Sequence, residues 1–553
     1  METSSKPRNA LSVIDVSIRK SMRVSQREYL FLRNQALWAS RRGNPELALK
    51  LFSSAANFAS LFHPGFFFDS VAENEILRIG QEVSTANDDK RYLQPPIDAT
   101  IGFSILHVVS AVSKVGGLCR TIIHWIHNDI NTRHTVVVLR QSDAQAFDWF
   151  RDELEGSGTS IISLDPDSTM LHRSIELRNL ASSGFSGCIN HVAQAESIPI
   201  VAFASTADLP PVAWIDHADH SFWLGLSVAD IVIHQRPVGA TLCQDRRCAK
   251  SCFVLPIPLQ VHSPKLSREE VRKKLGLEPD SVMGLTVGRR DKYRPTSDQN
   301  FFKSAKELVE QHPNLILYVV GVEKARAESW ARCSLPDAQM VFMGETPVDP
   351  ALWEAADIYL ESYPFGSQTA FLEAALAGIA PVRAPVGGTP LLATSDSAID
   401  GLLQAPVDER EFIQQASWLI SNPTHRKQLA KQLQENVVLT HTGDVWRRKL
   451  EAFYKILRET KHCPGKVPLD THADDIHDTA LHRWHRMHED GLVRDHTLRL
   501  TAKWLVNNVM SREIRCSNYR LLPSLATRSL CCGRGDRTIL QMGIQSMFRL
   551  LRR

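Results

Sequence analysis

Two stretches of the chain repeat one pattern: short, uniformly apolar runs separated by segments with helical spacing. In 98–261 the runs lie at 105–109, 135–139, 160–164, 198–203 and 229–233 and are rich in β-branched residues. Runs that are apolar throughout, rather than at alternate positions, suit strands buried on both faces. The helical segments between them are what parallel crossover units require. A second block carries such runs at 282–287, 315–320, 340–343, 357–360 and 380–382, and closes with helical spacing over 409–457. A proline-rich stretch, 256–264, reads as an extended linker between the blocks. Two such sheets leave a cleft between the carboxyl ends of their strands, where open parallel sheets bind ligands.

The ends read differently. Residues 26–85 have helical spacing, broken at Gly43, and Ala36, Ala48, Phe52 and Ala55 stand where a tetratricopeptide-like hairpin places its packing residues. A plain helical cap fits the same pattern, and either must bury its apolar face on another part of the chain. The expected domains are a helical region (1–95), a first parallel-sheet domain (96–262), a second (263–460) and a tail (461–553). The tail has a histidine-rich stretch (His472, His477, His482, His485, His488), and 491–553 holds twelve basic against three acidic residues. Its end, 539–553, reads as a basic amphipathic helix suited to peripheral membrane contact, a helix packed on the body, or a disordered end.

Composition narrows the class. Of 553 residues, 43% are apolar and 23% charged, as in ordinary globular proteins of several domains, and a net charge of +3 argues against nucleic acid as a partner. No apolar run reaches the length of a membrane span, and 1–25 lacks the apolar core of a secretory signal. With ten cysteines and no dense framework, the expected location is the cytoplasm, with membrane association only through the tail. Cys243, Cys248 and Cys252 lack the paired spacing of zinc sites and read as plain thiols, so no metal is expected.

Chemistry concentrates in the second block. After its first run come Gly288, Arg289, Arg290, Lys292 and Arg294, a glycine and four cations at a strand's carboxyl end. Forked guanidiniums and a lysine point charge suit a pyrophosphate. Further on, Gly366, Ser367, Gln368 and Thr369 open a helix that carries Glu373. Orphan N–H groups and the helix dipole make that opening an anion site, with Glu373 placed for a sugar hydroxyl. In the first block, Gly116 and Gly117 form a tight turn that can bring backbone close to a ligand. The apolar run 211–215 ends in Asp216, His217, Asp219 and His220, where an imidazole can act as general base; the choice between His217 and His220 stays open. Asp165 and Asp167 read as a turn.

These motifs carry a resemblance. The chain resembles two-Rossmann glycosyltransferases of the GT-B class: α/β, with two Rossmann-like parallel-sheet domains facing a cleft, an N-terminal helical segment and a basic C-terminal tail. Lys292 and Pro295 resemble the Lys-x-x-Pro segment of O-linked N-acetylglucosamine transferases. Gly366 to Thr369, Glu373, and Gly378 with Pro381 resemble their phosphate loop, ribose-binding acid and following turn. The same stretch is similar to the large retaining family that includes sucrose and mannosyl transferases. That family's first acid falls on Phe365, a departure that leaves retention and inversion both open. The resemblance implies a metal-independent transferase using a nucleotide sugar, UDP-linked, as donor and no cofactor. Arg289, Arg290, Lys292 and Gly366 to Thr369 hold the diphosphate, Glu373 the ribose, and His217 or His220 serves the acceptor (a glycan, a lipid-linked glycan or a protein). His217 resembles the histidine that many of these enzymes carry after this strand, and Gly116 with Gly117 their sugar loop. Two alternatives remain: a nucleotide-sugar 2-epimerase of the same architecture, and a non-catalytic adaptor on a decayed transferase body.

Overall fold

A computed structural model describes residues 16–86, 102–114, 117–141, 143–206, 209–261, 266–296, 299–386, 394–469, 478 and 481. The histidine-rich stretch, the basic end and Gly116 lie outside these residues. Three helices come first: α1 (Val16–Arg41), α2 (Pro45–Leu61) and α3 (Ser70–Ala86). A seven-stranded lobe follows: β1 (Ser104–Val109), α4 (Gly117–Asn128), β2 (Arg133–Val138), α5 (Ala144–Glu153), β3 (Ser160–Ser163), α6 (Met170–Ala181), β4 (Gly187–His191), α7 (Ile198–Ala202), β5 (Val212–Asp216), β6 (Ile231–His234), α8 (Pro237–Arg246) and β7 (Cys252–Val254). The second lobe contains α9 (Arg268–Lys274), β8 (Val282–Val287), α10 (Phe301–Gln311), β9 (Leu315–Val320), α11 (Lys324–Ala331), β10 (Met340–Phe342), α12 (Pro350–Ala355), β11 (Ile358–Leu360), α13 (Gln368–Leu376), β12 (Ala380–Val382), α14 (Glu409–Ser421) and α15 (Pro423–His441). The last helix is α16 (Gly443–Glu459).

All described strand pairs are parallel, in the orders β3-β2-β1-β4-β5-β6-β7 and β10-β9-β8-β11-β12. Strand order therefore reverses between β1 and β4 in the first sheet, and between β8 and β11 in the second. Loops leaving a reversal point diverge to opposite faces and open a crevice at the sheet's carboxyl edge. In the second lobe those loops are 288–295 and 361–367.

Two expectations change. The run 198–203 forms no strand: 198–202 is the short helix α7, entered through Pro199. Proline cannot donate to a central ladder but fits a helix's first turn, and an apolar run of this length serves a buried helix equally well. The strand in that part of the sheet is β4, whose polar residues Asn190 and His191 are both buried. Second, α16 lies inside the stretch assigned to the second domain yet packs on the first sheet. Its Trp446, Leu450, Phe453 and Leu457 bury against Ile105, Trp125, Ile189, Ile231 and Ile233.

Residues 256–259 of the linker are buried and pinned between lobes. Trp446 Nε1 donates to Pro256 O at 2.8 Å, His124 Nδ1 to Pro258 O at 3.1 Å and His441 Nδ1 to Ile257 O at 2.8 Å. The N-terminal helices sit on the first lobe. Glu46 of α2 accepts from the N–H groups of Met170 and Leu171 at the start of α6, both at 3.2 Å. Glu73 of α3 enters the loop 225–227. Among the described residues no helix is long and apolar enough to cross a membrane.

Candidate functional site

The loop after β8 makes a 3-10 turn, Arg290–Tyr293, which aims Lys292 across the reversal point. Lys292 Nζ donates to Gly366 O at 2.8 Å, and the ammonium lies 5.1 Å from the centroid of Phe365. Burial pushes the Lys292 pKa down to about 7; Arg289 and Arg236 act in the same direction and Glu361 opposes. Arg289 is exposed, and Arg290 turns toward Glu345, with Nε and Oε1 3.7 Å apart.

Gly366 to Thr369 run into α13, with Ser367 as N-cap. The Ser367 hydroxyl does not cap the helix; it pairs with Ser362 Oγ at 3.0 Å. The first-turn N–H groups of Gln368, Thr369 and Ala370 have no acceptor within the helix, by helix geometry. Gln368 Nε2 donates to Ser395 O at 3.4 Å. Gly366 must lack a side chain, because a Cβ there would stand 2.3 Å from Glu361 Oε1. Glu361 is fully buried and accepts from Ala384 N at 2.8 Å and from the Thr394 hydroxyl; burial raises its pKa against those bonds.

The first lobe closes on this helix. Arg120 of α4 donates to Glu373 Oε1 at 3.1 Å. A Cβ on Gly117 would come within 2.8 Å of Thr369 Oγ1, so a side chain there would force Thr369 to shift. The donor-side candidates Lys292, Gly366 to Thr369 and Glu373 thus gather around one helix opening.

Residues 267–436 match the glycosyl transferases group 1 family. This lobe is a group 1 glycosyltransferase domain, and the chain is a glycosyltransferase. No curated protein matches it in sequence. Its fold is that of GT-B glycosyltransferases. Similar solved structures include HepE from Anabaena in complex with UDP and glucose (16% identity, 65% of this chain and 100% of that one, TM-score 0.50). A glycosyltransferase from Rickettsia africae is 11% identical over 64% of this chain and 98% of its own, with a TM-score of 0.50. A point mutant of TarM from S. aureus, in complex with Fondaparinux, alpha-GlcNAc-glycerol and UDP, is 8% identical over 65% and 100%, with a TM-score of 0.50. At these identities the likeness is one of fold.

Across the cleft of this glycosyltransferase lies the loop after β5. His220 sets its ring edge-on to Phe365, with centroids 4.8 Å apart. Phe365 therefore bridges His220 in one lobe and Lys292 in the other. His217 is half-buried and directs Nδ1 at Ile215 O, 3.4 Å away; burial lowers its pKa. A proton held at Nδ1 leaves Nε2 as the basic nitrogen. Asp165 accepts from Asp167 N and from the Ser168 hydroxyl, both at 3.0 Å, in the turn the sequence implies.

The sequence reading missed two groups here. Arg236, two residues after β6, is buried and grips Asp219 through Nε and one terminal nitrogen, at 2.6 and 2.7 Å. Burial alone would raise Asp219; the guanidinium outweighs it and holds the carboxyl well below its usual range. Arg236 follows a strand and precedes Pro237 of α8, so the strand-end pattern that singled out Lys292 could have found it.

The second is a row of imidazoles on adjacent strands. His191 Nε2 meets His107 Nδ1 at 3.0 Å, and His107 Nε2 meets His134 Nδ1 at 3.0 Å. His134 Nε2 lies 3.4 Å from Asp129 Oδ2. A proton on His134 Nε2 facing that carboxylate sets every ring to donate toward Asp129. His191 is then left with a buried Nδ1 acceptor, an atom with no hydrogen-bond partner. Burial, then His217, pushes the His191 pKa down to about 3.

Proposed function

We propose that this glycosyltransferase moves a hexosyl or N-acetylhexosaminyl group from a UDP-sugar to an acceptor hydroxyl, without a metal at the phosphates and without a cofactor. The observation that carries the reading is the Lys292 ammonium held 2.8 Å from Gly366 O, at the mouth of the helix that bears Glu373. As the sugar bond breaks, negative charge grows on the leaving β-phosphate. A preorganised ammonium, the Arg289 guanidinium and the first-turn N–H groups of α13 stabilise that charge more than they stabilise the bound donor. UDP in the HepE and TarM structures supports the choice of nucleotide. Glu373 takes a ribose hydroxyl and exchanges part of its pairing with Arg120 when the donor enters. On the acceptor side, the neutral His217, or His220 beside Phe365, receives the hydroxyl proton.

Thermal shift and calorimetry with UDP-N-acetylglucosamine, UDP-glucose and GDP-mannose test the reading, since a ligand of the native state raises apparent stability. One UDP-sugar is expected to bind, and Glu373→Ala to weaken it by about tenfold or more, as the loss of a charge-assisted hydrogen bond implies. Failure of every nucleotide sugar to bind the folded wild type would overturn it. So would conversion of the donor to its 2-epimer in the absence of an acceptor.

A further inference from the structure

Behind the acceptor loop the first sheet gathers a second set of chemical groups. Asp216 and His234 are register partners on β5 and β6. Cys252 on β7 pairs with Val232, two residues before His234, and the period of a strand puts Cys252 and His234 on one face. Helix α8 crosses that face and delivers Cys243. His234, Cys243 and Cys252 each present a ligand atom within 4.8 Å of the other two. His234 and Cys243 are fully buried, and Asp216 nearly so.

The nitrogen and oxygen atoms of this cluster are poorly satisfied. Neither ring nitrogen of His234 and neither carboxylate oxygen of Asp216 makes a hydrogen bond of good geometry, although His234 lies against both Asp216 and Cys252. Asp216 Oδ2 stands 3.4 Å from His234 Nδ1 and 3.8 Å from Arg247 Nε, close in charge but without a bond. Buried polar groups in this number are costly without a partner. A divalent cation would supply a partner to one ring nitrogen of His234 and to both sulfurs, and would leave the other ring nitrogen to Asp216.

From these residues we propose a structural metal site for zinc or a similar thiophilic divalent ion, bound by His234, Cys243 and Cys252. Asp216 is the fourth ligand or orients the His234 ring. Two sulfurs, one imidazole and one carboxylate form a donor set that zinc accepts. Bond lengths of about 2.0–2.3 Å put the ligand atoms of a tetrahedral zinc roughly 3.3–3.8 Å apart. The observed spread closes to that with about 1 Å of side-chain movement. Charge also balances: two thiolates and a carboxylate offset the cation together with the Arg247 guanidinium, as a buried site requires. The ion ties β5, β6, β7 and α8 together just before Asp219 and Arg236. It thereby stiffens the acceptor wall and takes no part in donor chemistry. The proposal stands independently of the donor reading.

The test uses the full chain, stripped with a chelator under reducing conditions and titrated with cobalt(II) and zinc(II) alone. The histidine-rich stretch can bind metal too, so the difference between variants is what is read. Wild type and Cys248→Ser, an exposed thiol outside the cluster, are expected to give thiolate-to-cobalt charge-transfer absorption with tetrahedral ligand-field bands, reversed by zinc. Cys243→Ser and Cys252→Ser should lose that absorption, and zinc should raise the Tm of wild type but not theirs. Circular dichroism checks that the variants fold. If Cys243→Ser does not, the half-buried Cys252 decides alone. Equal cobalt spectra in wild type and Cys252→Ser would overturn the site. A chain as purified that is two hydrogens lighter, through a Cys243–Cys252 disulfide, would overturn it in favour of a redox pair.

Discussion

Replacing Lys292 by alanine is expected to cut transfer by roughly 10^3-fold in kcat, the scale seen when a preorganised donor to a developing oxyanion is removed. Donor binding should weaken as well, because the ammonium is already aimed at the opening of α13 in the folded chain. The fold should survive. Lys292 shares its surroundings with Arg289 and Arg236, and burial with those cations pulls its pKa down to about 7 from the usual lysine value. A lysine with a depressed folded pKa costs stability in full below that value, and the cost fades as pH rises from there toward the pKa of the unfolded lysine. Lys292→Ala should therefore show a Tm equal to or above wild type at about pH 6, the usual compromise between stability and a working site. Two further measurements follow from the same shift. The free enzyme's kcat/KM should fall as pH rises through about 7, since the cation is the form that meets phosphate. At about pH 8, donor binding should take up a proton, read by calorimetry in buffers of different ionisation enthalpy. Wild-type donor affinity in Lys292→Ala would remove this residue from the site.

The parts of the molecule that were legible in sequence share one physical property: their signal is local. β8, β9, β11 and β12 are apolar along their length because both faces of their sheet are covered, and such runs stand out without any knowledge of neighbours. Lys292 and the opening of α13 were legible as partners because each follows a strand of one parallel sheet, and strand ends at an order reversal share an edge. What escaped depends on long-range pairing. β4 reads Gly-Cys-Ile-Asn-His and carries no apolar run, and its place beside β1 is what lines up His191, His107 and His134. The helical spacing of 443–459 is plain, but nothing in it says which sheet its apolar face will meet. His234, Cys243 and Cys252 have no paired spacing along the chain; only the register of β6 with β7, under α8, brings them together. Glu361 and Arg236 stayed hidden for a related reason, since each is a charged residue whose burial is decided by elements far away in sequence.

The second large effect concerns the joint between the N-terminal helices and the first lobe. Glu73 of α3 is fully buried, and its carboxylate fills a concavity of three successive backbone N–H groups. Oε1 accepts from Gly225 at 2.6 Å and Leu226 at 3.2 Å; Oε2 accepts from Ser227 N at 3.2 Å and Ser227 Oγ at 2.7 Å. Such a nest binds an anion, and here the anion belongs to the chain. Glu73→Ala leaves three N–H donors buried and unpaired. At about 1–3 kcal/mol for each orphaned group, partly relieved by entering water, the expected cost is roughly 3–5 kcal/mol. Glu75→Ala is the control: its half-buried carboxylate pairs with Arg78 and accepts from Ser40 Oγ at 2.6 Å, and the expected cost is about 1 kcal/mol. Urea unfolding of the three proteins measures both. The pH dependence carries a sign. Burial raises the Glu73 pKa, and the hydrogen bonds from Ser227, Gly225 and Leu226 only partly offset it. A carboxyl raised in the folded state contributes stability in full below its unfolded pKa and loses it as pH climbs through the folded value. Wild type should thus lose more stability than Glu73→Gln as pH rises above the usual carboxylate range. The same slope in both proteins, with a cost for Glu73→Ala no larger than for Glu75→Ala, would mean that the helices are held by their apolar faces alone.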